Sequence, residues 1–319
     1  MTHALLKRLL LVAGRVPRYL PVGYPSPQHD VRVTLDGLDT PHDVTHTHVM
    51  IALRPLTVAL TPPPGVPSDA LARQALSLRL SPWTAPETTL GVVELRHTEA
   101  IETTGPTLHL FQQRGSLNAC MPAAANTVFA VYHRWGDWKR RHQRNTPMEP
   151  HDLRAVGVLY ICPRPVVLVT VQHGAASNLF PMDLIGQTDG PHFLLGLRNT
   201  SPSIRLIEES RRLAVSDAPL EFTARAFKLG EHHAKERIDW SALPFETGPS
   251  AGHGLPVPRE ALRVRDVQVR QVHVVGSHTL FVTDVVHDER RRDGLQMCFI
   301  AGPYYRRLAL RGLEPPSAP

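Results

Sequence analysis

The sequence predicts a mainly β protein of the α+β class, organised around small barrels. Three observations carry this. Short apolar runs rich in β-branched residues recur along the chain, as at Val49–Leu53, Leu56–Leu60 and 166–171. Thirty prolines in 319 residues break the chain too often for long helices. Residues 262–275 alternate apolar and polar side chains, with phase slips near Asp266 and Gln271. Such slips mark β-bulges, which bend a strand around a barrel.

Residues 1–12 carry Leu5, Leu6, Leu9, Leu10 and Leu11, interrupted by Lys7 and Arg8. The apolar run is too short for a membrane span and reads as an amphipathic surface helix. Residues 14–28, with four prolines, read as a loop. From Val31 to about Val131 the pattern is that of strands, continued at 90–95 and 108–111, with Pro62-Pro63-Pro64-Gly65 as a break. Residues 69–76 suit a short helix capped by Ser68. Residues 139–144, Lys-Arg-Arg-His-Gln-Arg, form a basic run without interleaved aromatics, which reads as a solvated linker and gives no reason to expect nucleic acid.

After Pro150, residues 166–171 are continuously apolar, the mark of a strand covered on both faces. Residues 193–197 and 213–215 read as further strands. Ser201 and Pro202 supply an N-cap and a first-turn proline for a helix through Ile204 and Ile207. Residues 222–229 read as another helix. Residues 240–258, rich in Gly, Pro and Ser, read as a long excursion serving as a lid. Strands at 280–286 and 297–300 complete the set. The divisions expected are 1–28, a β-rich domain at 29–135, a linker at 136–150 and a second barrel at 151–313. Residues 42–61 echo 151–170, and 90–111 echo 262–281. Duplication of a degenerate barrel and chance both remain open readings.

The formal net charge is +6, which suits either phosphate-bearing partners or a compositional bias. Cys120, Cys162 and Cys298 have no metal-type spacing, and an odd number closes no disulfide framework, so a reducing cytoplasm is expected. His42, His46 and His48 have a spacing that can ligate a metal, but no Cys or second-half partner supports them, and no metal is expected.

Four elements occur in order in the second half: Pro163-Arg164-Pro165 leading into an apolar strand that includes Thr170, then Gly174 with Asn178-Leu179-Phe180-Pro181, then Gly276-Ser277-His278, then Tyr304-Tyr305. Over about 150–313 this set resembles the flavin-reductase-like, FMN-binding split-barrel family. The resemblance implies a split β-barrel, FMN as cofactor and NAD(P)H as co-substrate. Hydride would pass from NAD(P)H to flavin, and on to free flavin, oxygen or a partner oxygenase. A flavin-binding or scaffold protein without reductase turnover is the alternative.

The resemblance also implies a site. Thr200 and Ser203, with Arg205 as charge partner, match the phosphate contacts at a helix start, where free N–H groups favour anions. Thr170, Asn178, Leu179 and Phe180 belong to the strand and turn presented to the flavin. Asp183 stands where the family has Ser or Thr. It either faces the ribityl hydroxyls, or pairs with an Arg, or marks an altered site. His278 matches the catalytic position beside the reacting face, and Tyr305 matches an aromatic flanking the ring. The family commonly places FMN at a two-fold interface, so a homodimer is expected, with an internal pair of barrels as the alternative.

Overall fold

The structure, a computed structural model, describes residues 16–26, 30–139 and 148–318. The expected N-terminal helix and most of the basic run lie outside these residues.

Two seven-stranded antiparallel sheets dominate. The first is built from β2 (Val31–Asp36), β3 (His42–Asp43), β4 (Val49–Leu53), β5 (Leu56–Leu60), β6 (Leu76–Pro82), β7 (Gly91–Ile101) and β8 (Leu108–Asn118). The second is built from β10 (Val167–His173), β11 (Ala176–Met182), β12 (Ile185–Gln187), β13 (His192–Arg198), β14 (Arg212–Asp217), β17 (Arg263–Val275) and β18 (His278–Arg290). Three further strands, β1 (Tyr19–Tyr24), β9 (Arg164–Pro165) and β19 (Gln296–Ala301), form a small sheet, and β15 (Thr247–Pro249) pairs with β16 (Pro256–Pro258). Taken in chain order, the strands of each large sheet lie side by side in one order: second, first, fifth, sixth, seventh, fourth, third. Seven-strand orders do not coincide in this way without a shared plan, so the duplication is real at the level of topology.

The sequence echo holds for one of its two matches. Residues 90–111 and 262–281 fall on equivalent strand pairs, β7–β8 and β17–β18. The other match fails: Arg54-Pro55 is the β4–β5 turn, whose counterpart is the β12–β13 turn, whereas Arg164-Pro165 is β9. The Arg-Pro dipeptide recurs at positions the fold does not equate.

The two sheets meet face to face, with β4 lying against β12, β13 and β18. A buried cluster joins Val49, Ile51 and Ala59 of the first half to Leu194, Leu280 and Val282 of the second. At roughly 1.5–3 kcal/mol for each fully buried large aliphatic side chain, this seam is a major source of cohesion. Glycine makes the approach possible: a Cβ at Gly196 would stand 2.0 Å from the Ile51 carbonyl oxygen.

The expected bulges are present, as register shifts at Asp266/Val267 and Val269/Gln271. Residues 166–171 are buried throughout, as a strand covered on both faces must be. Two helices went unforeseen, Ala123–Lys139 and Pro150–Leu159. The second plugs the first barrel: Val156, Val158 and Leu159 join its core, and buried Asp152 accepts hydrogen bonds from the Leu56 N–H (3.0 Å) and Gln113 Nε2 (3.1 Å). The expected boundary at residue 150 is therefore not a division between separate cores. Both anticipated caps are displaced. Ser68 is the first helical residue, its Oγ 2.7 Å from His109 Nε2, and the second helix begins at Ser203 while Ser201 Oγ donates to the His233 carbonyl. The 240–258 excursion carries the β15–β16 hairpin and is tied down by Trp240 Nε1 on Ser177 Oγ (2.7 Å) and by Ser250 Oγ and the Gly252 N–H on Asp266.

Candidate functional site

A cavity of about 70 Å³ opens at one end of the seam. Leu53 reaches it from the first half, and Met182, Leu184 and Leu197 complete its apolar wall. The polar groups are Asp183, just past β11, Arg198 at the end of β13, His278 at the start of β18, and His233 on the 3₁₀ turn Gly230–Ala234. Strand pairing fixes two of these: Arg198 and His278 stand opposite each other in the β13–β18 register.

Both histidines are neutral near pH 7. Burial, followed by the nearby Arg198 charge, lowers His278 to about 4. Burial, followed by the Arg198 charge and against a hydrogen bond to Pro181, lowers His233 to about 4. The contact of His233 Nε2 with the Pro181 carbonyl (2.7 Å) requires Nε2 to carry the proton. Its Nδ1 is then a buried acceptor, and it has no partner. Such an atom costs free energy unless something donates to it.

Behind the cavity lie two polar pairs. Tyr160 Oη donates to Asp183 Oδ2 at 2.5 Å. Burial raises the Asp183 carboxyl, while Tyr160, Arg164 and Arg198 oppose that rise. Arg164 is 1% exposed, and its Nη2 lies 2.8 Å from His48 Nε2. A guanidinium only donates, so His48 Nε2 accepts and Nδ1 donates to the Val44 carbonyl at 2.8 Å. Burial, reinforced by the Arg164 charge, lowers His48 to about 3, which keeps it neutral for this task. His48 belongs to the first half, so the Arg164–His48 pair joins the two halves.

The other residues singled out from the sequence lie elsewhere. Thr170 is buried, and its hydroxyl donates to the Pro256 carbonyl. Asn178 is buried and spends its amide on Ser203 Oγ and the His232 and Lys235 carbonyls, while its Oδ1 accepts from the Leu179 N–H. Leu179 and Phe180 are core residues. Ser203 is buried against Asn178, Thr200 is exposed, and Arg205 is exposed and paired with Glu209 at 2.8 Å. Tyr305 packs against the first barrel's core rather than the cavity. Asp183 and His278 are therefore the two that the fold brings together. Of the three meanings open for Asp183, the structure shows it held by Tyr160 within the fields of two arginines. Leu53, Tyr160, Arg198, His233 and the buried role of Arg164 were missed. Arg164 lies inside a motif and Arg198 just ahead of Thr200, but nothing in a single sequence marks a buried arginine.

Residues 159–307 match the family described as "Flavin reductase like domain". Among solved structures, an FMN-binding protein from Thermus thermophilus, with bound 1-cyclohex-2-enone, is 24% identical over 40% of this chain and 71% of its own, with a TM-score of 0.37. The NADH:FAD oxidoreductase SgcE6 of Streptomyces globisporus is 16% identical over 50% and 96%, with a TM-score of 0.43. BorF, the flavin reductase component of a bacterial two-component tryptophan halogenase, is 17% identical over 46% and 96%, with a TM-score of 0.39. No curated protein matches the chain. Among the described residues, no helix is long and apolar enough to cross a membrane.

The lining suits the edge of a flavin ring: an apolar wall, a cation, neutral imidazoles and an unsatisfied acceptor. The volume is smaller than the ~300–1,000 Å³ of cofactor sites. A ring therefore enters only if groups at the mouth move aside.

Proposed function

We propose that the seam cavity is the FMN site of an oxidoreductase that takes hydride from NAD(P)H. The observation that carries this is the convergence of Arg198, His278 and the unpartnered His233 Nδ1 on one apolar-walled cavity within the flavin-reductase-like domain. A bound flavin supplies hydride chemistry, and the protein supplies binding, orientation and electrostatics. Leu53, Met182, Leu184 and Leu197 exclude water and form the face against the ring. Arg198 would offer a cation to the edge of a bound flavin. His278, neutral at pH 7, donates a hydrogen bond or passes a proton without adding a second charge. His233 Nδ1 would accept a hydrogen bond from a bound flavin. FMN fluorescence titration and NAD(P)H oxidation test the reading: saturable binding with oxidation of the nucleotide is expected, and neither occurring refutes it.

The cavity's size and the consumption of the Asn178, Ser203 and Thr170 polar groups favour a second reading, a flavin-binding scaffold without turnover. Tight FMN binding without NAD(P)H oxidation selects it. A cytoplasmic location and an oxygenase partner belong to the first reading.

A further inference from the structure

We infer that the first barrel is a built-in second subunit: the chain is a complete pair within itself, carries one functional site, and works as a monomer. The single site rests on the flavin reading above; the internal pair does not.

Three independent observations lead here. First, the turns at the two ends of the seam make reciprocal contacts, as a two-fold interface requires. The β17–β18 turn meets the β4–β5 turn: the Ser277 N–H donates to the Arg54 carbonyl at 2.8 Å, and the Arg54 N–H donates to Ser277 Oγ at 3.1 Å. The mirror contact joins the β7–β8 turn to the β12–β13 turn. There a Cβ at Gly105 would stand 3.3 Å from both Pro191 Cδ and His192 Nε2, and one at Gly190 would stand 3.2 Å from Pro106 Cδ.

Second, the face a second copy would need is already covered. Leu194, Leu280 and Val282 of the second barrel are at most 1% exposed, sealed by the first barrel's Ile51, Ala59 and Leu110.

Third, the pair is chemically one-sided. At the cavity, β13 ends in Arg198 and β18 opens with His278. The corresponding end of β5 runs Leu60-Thr61-Pro62-Pro63-Pro64, and the turn before β8 runs Thr103-Thr104-Gly105-Pro106-Thr107. Neither carries an Arg or a His. There, the Asp189 N–H donates to Thr61 Oγ1 at 3.2 Å, closing the equivalent corner with a hydrogen bond. The first barrel has no counterpart to the Arg198 cation, and its imidazole opposite Leu60, His109, is spent on Ser68 and His97 rather than on the seam. Its contribution to the working site is Leu53 in the wall and His48 behind Arg164.

The full-length chain tests this by light scattering in dilute buffer, together with an Arg54→Cys/Ser277→Cys variant oxidised and run without reductant. The mass of one chain and a cross-link within the chain are expected. The mass of two chains, a cross-link between chains, or no cross-link at all would overturn the internal pair. FMN saturating at one per chain supports the single site; two per chain overturns it. Absence of FMN uptake refutes the earlier functional reading, while mass and cross-link still decide the pairing.

Discussion

Lowering the pH to about 5 should destabilise the fold well before most carboxylates titrate, because the seam buries neutral histidines. His278 is 1% exposed and His48 is 2% exposed. Their values fall from the ordinary 6.5 to about 4 and about 3, chiefly through burial. The sign follows from which state takes the proton first. As pH falls through 6.5 the unfolded chain protonates while the folded chain does not, so stability is complete above that value and lost below it. At about pH 5 the unfolded imidazole has been favoured over about 1.5 pH units, worth roughly 2 kcal/mol for each of the two residues. The assay is urea denaturation followed by circular dichroism and tryptophan fluorescence at about pH 7.5 and about pH 5, for wild type and His278→Asn. Asparagine can keep a hydrogen bond to Ser277 but does not titrate. The variant should lose about 2 kcal/mol less than wild type between the two conditions. Equal losses would refute the assignment of His278 as a buried neutral imidazole.

Gly196→Ala places a Cβ 2.0 Å from a backbone oxygen that cannot step aside, and should cost at least about 1–3 kcal/mol by thermal denaturation. Gly157→Ala, with nothing within 4 Å of the new Cβ, should gain roughly 0.5–1 kcal/mol in its helix; similar effects at both sites would contradict the seam geometry. Leu280→Ala removes a fully buried seam side chain and should cost about 2–5 kcal/mol in urea denaturation. Arg198→Leu should weaken FMN binding by about tenfold or more, about 1.4 kcal/mol; unchanged affinity in a fluorescence titration removes the cation from the site. Burial pushes the Cys120 and Cys162 thiols up to about 12 and raises the Cys298 thiol well above its ordinary value. A disulfide reagent should therefore label no thiol in the native protein and three after denaturation; prompt native labelling would argue against this packing.

What could be read from the sequence was whatever is written in local pattern. Alternation and apolar runs gave β4, β5, β7, β10 and β18, and the phase slips at Asp266 and Gln271 gave the bulges, because side-chain period is a local property. Helix Pro150–Leu159 escaped because its buried face is set by the barrel it plugs: Asp152 looks like a surface residue until Leu56 and Gln113 are seen to donate to it. The site was half legible for the same reason. His278 and Asp183 sit in short motifs. His233 and Leu53 arrive at the cavity from distant segments, and His48 is joined to Arg164 across 116 residues of chain. Ser203 and Asn178 suggested ligand contacts through the family resemblance, yet they bond each other, because a buried polar group takes the nearest partner the fold offers.

Hydrogen exchange of the full-length chain with and without FMN tests the central claim most directly, since it reports both binding and its location. FMN should protect residues 181–184, 196–198, 231–233 and 276–278 of the second half together with 50–54 of the first, leaving the opposite end of the seam at 103–107 and 188–191 unchanged. Protection absent from all of these segments, or confined to the second half with 50–54 unaffected, would contradict a flavin site shared between the two barrels.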